Sequence, residues 1–153
     1  MKITICASIE FTEKIQEIQK QLEGFGHKVK IPFTAERIIK GELNLKEFLA
    51  DKKRNGDSKF REIVTQKSFA DPIKRYFKII AKGDVILVLN FSKNGISNYI
   101  GGNTFLEMGF AYVLKKPIYL YNDIPEMLYT DELQAMKPVV INQKLNKITM
   151  KEW

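Results

Sequence analysis

The chain has 153 residues, 44% of them hydrophobic and 28% charged, which fits one globular domain with a core of its own. Cys6 is the only cysteine and His27 the only histidine; this excludes an intramolecular disulfide, a zinc site built on both residue types and, on expectation, triads built on histidine. The formal charge is +7, and residues 34–82 carry most of the excess, with 13 Lys/Arg against 7 Asp/Glu.

The first stretch, MKITICASIEF, lacks the long apolar centre of a signal peptide. No run approaches membrane-spanning length. The expected location is the cytoplasm, without a membrane partner. Lys2 to Ala7 alternates and then turns apolar, as a first, central strand does. Cys6 within it reads as a packed thiol. Ser8 to Thr12 is the loop beyond. Phe11, Ile15, Ile18, Leu22 and Phe25 then recur at helical spacing. Thr12 is the expected N-cap, and Gly24 or Gly26 the stop. His27 reads as a surface residue at the following turn. Lys28 to Pro32 is a short second strand. Strand, helix, strand is the opening of a parallel α/β domain.

Residues 34–82 read as helical and polar, with breaks near Gly41, Asn55-Gly56 and Asp71-Pro72. Leu43, Leu45, Phe48 and Leu49 mark one short helix. Phe60, Ile63 and Val64 mark a second. Ile73, Tyr76, Phe77, Ile80 and Ala81 form a stripe on a third. This is long for a crossover, so residues 34–70 are taken as a helical insertion that shapes a site at the strand ends. Its charges are interspersed and lack an aromatic stacking pattern. A solvated face therefore ranks above a nucleic-acid surface.

Val85 to Leu89 is the next strand. Asn90 to Gly102 is a polar loop, Asn103 to Leu114 a helix, and Pro117 to Tyr121 a strand. A loop with Pro125, a short helix from Asp131 to Met136 and an edge-like strand, Val139 to Ile141, complete the pattern. The sequence does not decide whether Trp153 packs back or serves an interface.

In open parallel sheets, ligands bind beyond the carboxyl ends of the strands. Ser8, Asn90, Asn122 and the Gly101–Thr104 turn fall there. A helix N-terminus at Gly102, Asn103 and Thr104 is a candidate anion seat; it is equally a good helix start. Glu107 is the only charge in a helix that is apolar on nearly every face. Such a carboxylate is uncommon unless paired or functional. One turn into the helix, it could meet a ligand and attack a sugar carbon. The bland reading is a structural Glu paired with Lys or Arg, or bonded to loop N–H groups.

The run Gly-Asp-Val-Ile-Leu-Val-Leu-Asn, then Gly102-Asn103-Thr104-Phe105-Leu106-Glu107-Met108-Gly109-Phe110-Ala111, then Lys116-Pro117-Ile118, resembles the nucleoside 2-deoxyribosyltransferase-like superfamily. Ala7-Ser8 and the nearby Phe11 resemble that family's opening. The match covers mainly residues 1–32 and 82–123. The resemblance implies a flavodoxin-like three-layer sandwich around a mostly parallel five-stranded sheet. It also implies one domain over the chain and a homo-oligomer, a dimer or larger. In the family the Glu matching Glu107 attacks the anomeric carbon of a nucleoside or its monophosphate. A second base or water resolves the glycosyl-enzyme intermediate. No cofactor or metal is implied.

The chain departs from the family pattern in two places. Gly101 stands in the neighbourhood where an Asp is usual. The helix before Asp84 offers Lys74, Arg75, Tyr76 and Lys78 instead of an acid. Tyr76, Asn90 and Asn98 are the polar groups to consider as substitutes, and Asp84 matches a family Asp that could simply close a turn. The leading expectation is cleavage or exchange of an N-glycosidic bond, with Glu107 as nucleophile. Ser8, Phe11, Asn90, Gly102, Asn103, Thr104 and Asn122 would bind substrate. The alternative is a non-catalytic nucleotide-binding or sensing module of the same fold. Nucleic-acid binding by residues 34–82, which predicts a strongly salt-dependent affinity, ranks last.

Overall fold

The computed structural model describes residues 1–55 and 72–150. Strand β1 (Lys2–Ala7) turns Ile3 and Ile5 to one side and Thr4 and Cys6 to the other, the two-residue period of a strand buried on both faces. A short 3-10 turn, Ile9–Phe11, leads into helix α1 (Thr12–Gly24), which buries Ile15, Ile18 and Leu22. Thr12 is not the cap. Its hydroxyl donates back to the Ile9 carbonyl at 2.5 Å, and the capping position is Phe11, with no side-chain bond. The 3-10 turn uses up the residues that the spacing assigned to a loop. Phe25 leaves the helix and is exposed.

The stop at Gly26 is as expected. Its φ is +81°, and the N–H groups of Gly26 and His27 return to the carbonyls of Glu23 and Leu22 at 2.9 and 3.1 Å. That is a Schellman ending, which a left-handed glycine permits. Strand β2 (Lys28–Lys30) follows. Helices α2 (Phe33–Ile39) and α3 (Leu45–Asn55) belong to the insertion after it. The helix expected from Phe60, Ile63 and Val64, and the role of Trp153, lie outside the described residues.

Helix α4 (Pro72–Lys82) starts on a proline, whose missing N–H costs nothing at a first helical position, and buries Tyr76 and Ile80. Strand β3 (Val85–Leu89) is buried at every residue. Helix α5 (Gly102–Val113), strand β4 (Ile118–Leu120), helix α6 (Thr130–Ala135) and strand β5 (Val139–Val140) complete the order.

All pairings are parallel, and the strand order is β2-β1-β3-β4-β5. This is the flavodoxin-like order, with its switch point between β1 and β3. β1 is interior, but β3 takes the middle. Alternation explains the two cores. Ile3, Ile5, Val85, Leu87 and Tyr119 meet α1 and α2, while Cys6, Ile86, Val88, Ile118 and Leu120 meet α4, α5 and α6. The sheet between two helical layers makes a three-layer α/β sandwich.

The amino edge of the sheet is closed by polar contacts. Asp84 accepts from the Lys2 N–H at 2.7 Å, and Lys116 Nζ donates to the Gly83 carbonyl at 2.6 Å. Gly83 itself is wedged against Thr4; a Cβ there would come within 2.9 Å of its hydroxyl oxygen. Gly83→Ala is therefore expected to destabilise by about 1–2 kcal/mol through overpacking, read as a lower urea midpoint at unchanged slope. Among the described residues, no helix is long and apolar enough to cross a membrane.

Candidate functional site

Glu107 lies on the inner side of α5, next to Thr104, Met108 and Ala111, which face the sheet. Residues three and four apart share a helical face, so the face that buries Thr104 and Ala111 also carries Glu107 inward. Cys6, at the far end of β1, points to the same layer. Its thiol is fully buried, and the Glu107 carboxyl is near enough to raise its proton affinity. Tyr76 comes in from α4, and its hydroxyl donates to the Ile5 carbonyl. Three titratable groups from three elements thus converge near the carboxyl end of β1.

Glu107 is partly buried. Burial among apolar groups pushes its carboxyl up to about 8, and the neighbouring Cys6 thiol opposes that rise. Among the described residues no Lys or Arg pairs with it. Burial and the adjacent Glu107 push the Cys6 thiol well above its ordinary value; burial, then Cys6 and Glu107, do the same for Tyr76. Both stay protonated around neutral pH and keep a proton to donate. Tyr76→Phe is expected to cost about 1–2 kcal/mol in unfolding free energy, because the Ile5 carbonyl loses its side-chain donor in a dry setting.

Asn90 is fully buried and spends its side chain on the chain itself. Its amide donates to the carbonyls of Asn122 and Asp123 at 3.2 and 2.9 Å, and its Oδ1 accepts from the Asn122 N–H at 2.9 Å. Asn122 Nδ2 returns to the Asn90 carbonyl at 3.0 Å, and Gln143 Nε2 donates to Asn122 Oδ1 at 2.9 Å. The pair clamps the ends of β3 and β4. Both residues sit just past the ends of their strands, as expected, yet their polar atoms are taken up by this clamp. Asp84 lies at the amino edge, the opposite end from Cys6, and closes the turn there.

Ser8 has a partner that periodicity did not reveal. Lys93 Nζ donates to Ser8 Oγ at 3.1 Å, pairs with Glu10 at 2.9 Å and stands 5.4 Å from the Tyr99 ring centre. The Lys93 side chain is 17% exposed. It is aimed by a two-residue turn, Asn94-Gly95, with φ of 53° and 75°, closed by paired bonds between Lys93 and Ile96 at 3.0 Å. Asn-Gly is the expected pair for such a turn; that was the readable signal. Asn98 takes a left-handed φ of 56° in the same loop.

Phe11 also falls at the switch point. Its ring meets Phe91 edge-on at 5.3 Å, and Phe91 meets Tyr121 at 5.3 Å. This row of partly buried rings crosses the carboxyl ends of β1, β3 and β4, packed with the layer that holds α1. Glu107 belongs to the other layer. Gly102 and Asn103 are exposed at the start of α5, and Thr104 is 6% exposed. The helix has no side-chain cap at Gly101, and the Tyr99 ring lies 3.2 Å from where a Gly101 Cβ would be. Among the described residues, no three His, Cys, Asp or Glu side chains converge as a metal site would require. Neither a known protein family, nor a curated protein, nor a solved structure matches this chain.

Proposed function

We propose that this protein cleaves or exchanges the N-glycosidic bond of a nucleoside or nucleotide, with Glu107 as the nucleophile that carries the sugar. The observation that carries this reading is the carboxyl itself. It is held among apolar groups at the carboxyl end of a parallel sheet, without a cationic partner among the described residues, and is still partly open to water. A largely desolvated carboxylate is reactive toward a developing oxocarbenium centre. The row Phe11, Phe91 and Tyr121 offers flat apolar faces to a base. Ser8, Lys93 and the uncapped start of α5 offer donors to hydroxyl or phosphate oxygens.

The sign of the pH dependence follows. Attack needs the anion, and in the free protein the proton is held until about pH 8. Base release per enzyme is expected to rise about tenfold per pH unit below that point and to level off above it. The test is incubation with a mixed panel of nucleosides and nucleotides, with chromatography for released base, from pH 6 to pH 9. Base released with that profile supports the reading. No base from any member overturns it.

A second reading, a nucleotide-binding or sensing module, has one observation in its favour. The phenol beside Glu107, Tyr76, is already engaged with a backbone carbonyl, so it does not stand ready to protonate a leaving base. Thermal stabilisation by a panel member without base release would select this module.

A further inference from the structure

We propose that Arg75, laid over the Phe33 ring, seats an anionic group of the ligand, a phosphate, above the carboxyl ends of β1 and β2. Arg75 lies in the first turn of α4, one residue before Tyr76, whose hydroxyl reaches the carbonyl of Ile5 in β1. Phe33 opens α2, three residues past the end of β2. The two helices belong to opposite layers. The guanidinium, 3.9 Å from the ring centre, therefore crosses the carboxyl edge of the sheet from one layer to the other. β2 is paired with β1, so this seat borders the end of β1 toward which Glu107 also converges.

The charge of Arg75 is what sets it apart. Arg37 of α2, 5.8 Å from the same ring centre, pairs with Glu42 at 3.0 Å, and Lys93 pairs with Glu10 at 2.9 Å. Among the described residues no carboxylate pairs with Arg75, which is exposed to solvent. A guanidinium stacked on an aromatic ring is held in place by its face and keeps its fork of N–H donors for an oxyanion. A phosphate monoester brings three oxygens and about two negative charges at neutral pH, more than a carboxylate does. That the phosphate belongs to a nucleotide rests on the glycosyl-transfer reading; the anion seat does not.

The test is calorimetric titration of the full chain, at one salt concentration, with inorganic phosphate, a panel of deoxyribonucleosides and the corresponding monophosphates. The wild type is expected to bind at least one monophosphate about 10- to 100-fold more tightly than its nucleoside. Arg75→Gln is expected to bring that pair within about twofold. Lys78→Gln, which removes another exposed cation of α4, is expected to keep the preference. This result assigns the phosphate to a nucleotide. Inorganic phosphate bound by the wild type and lost in Arg75→Gln, without a preference for any monophosphate, assigns the seat to the free anion. A wild type that shows neither behaviour overturns the proposal. So does a preference that survives Arg75→Gln, or one that Lys78→Gln abolishes equally. If the seat behaves as stated while the wild type releases no base, the glycosyl reading alone falls.

Discussion

Glu107→Gln is expected to remove base release altogether and, at pH 9, to make the protein harder to unfold. The two effects share one cause. In the unfolded chain the carboxyl ionises near 4.5, while in the folded protein it keeps its proton up to about 8. Between those values the folded state binds the extra proton. Its contribution to stability is complete below 4.5 and is lost as pH rises through about 8. The shift corresponds to about 4–5 kcal/mol, an upper figure because water reaches part of the carboxyl. Glutamine has no such titration. Urea midpoints of the two proteins are therefore expected to lie close at pH 5 and to separate by pH 9, with the variant ahead. Equal loss of stability by both over that range would show that Glu107 is not held protonated by the fold. For activity, residual turnover near the wild-type level in Glu107→Gln would remove it as the nucleophile.

The second large effect is expected at Asn90. Asn90→Ala strips the Asn122 N–H and the carbonyls of Asn122 and Asp123 of their partner. The cost is about 2–3 kcal/mol, since a buried side chain and three bonds are lost, although the half-buried Asn122 and the exposed Asp123 regain some water. Asn90→Asp sharpens the test. It keeps the shape and one acceptor but turns an oxygen toward two carbonyls. That variant is expected to be less stable than wild type at pH 7 and to recover as acid restores a donor proton. A calorimetric melt across pH 4 to 7 checks both. If Asn90→Ala melts with the wild type, the clamp contributes nothing, and the residue becomes available again as a ligand contact.

The sheet was legible because β1, β3 and β4 are apolar runs separated by loop residues, and α1 and α4 carry single stripes. The carboxyl was legible for the opposite reason, as the one charge in an apolar helix. Its neighbour was not. Cys6 alternates with Ile5 like any strand residue, and only the packing of α5 on β1 shows what it faces. Asn90 stands one residue past β3 and Asn122 two past β4, a placement that becomes a clamp only once the two strands are known to pair. Lys93 depends on the Asn94-Gly95 turn to fold back on Ser8 and Glu10. The short helix α2 was absorbed into a longer polar stretch, where breaks are easier to see than starts. In each miss the deciding contact joins distant parts of the chain, while spacing reports only near ones.

The Tyr76–Ile5 bond spans 71 positions, and Glu107 arrives from farther along still. No local piece of the polypeptide carries these groups together. Contacts that remote form only after long loops have closed. The elevated proton affinity of that one acid is thus a signature of completed assembly: a refolding molecule whose carboxyl still titrates like a free glutamate has not yet seated helix α5 on strand β1.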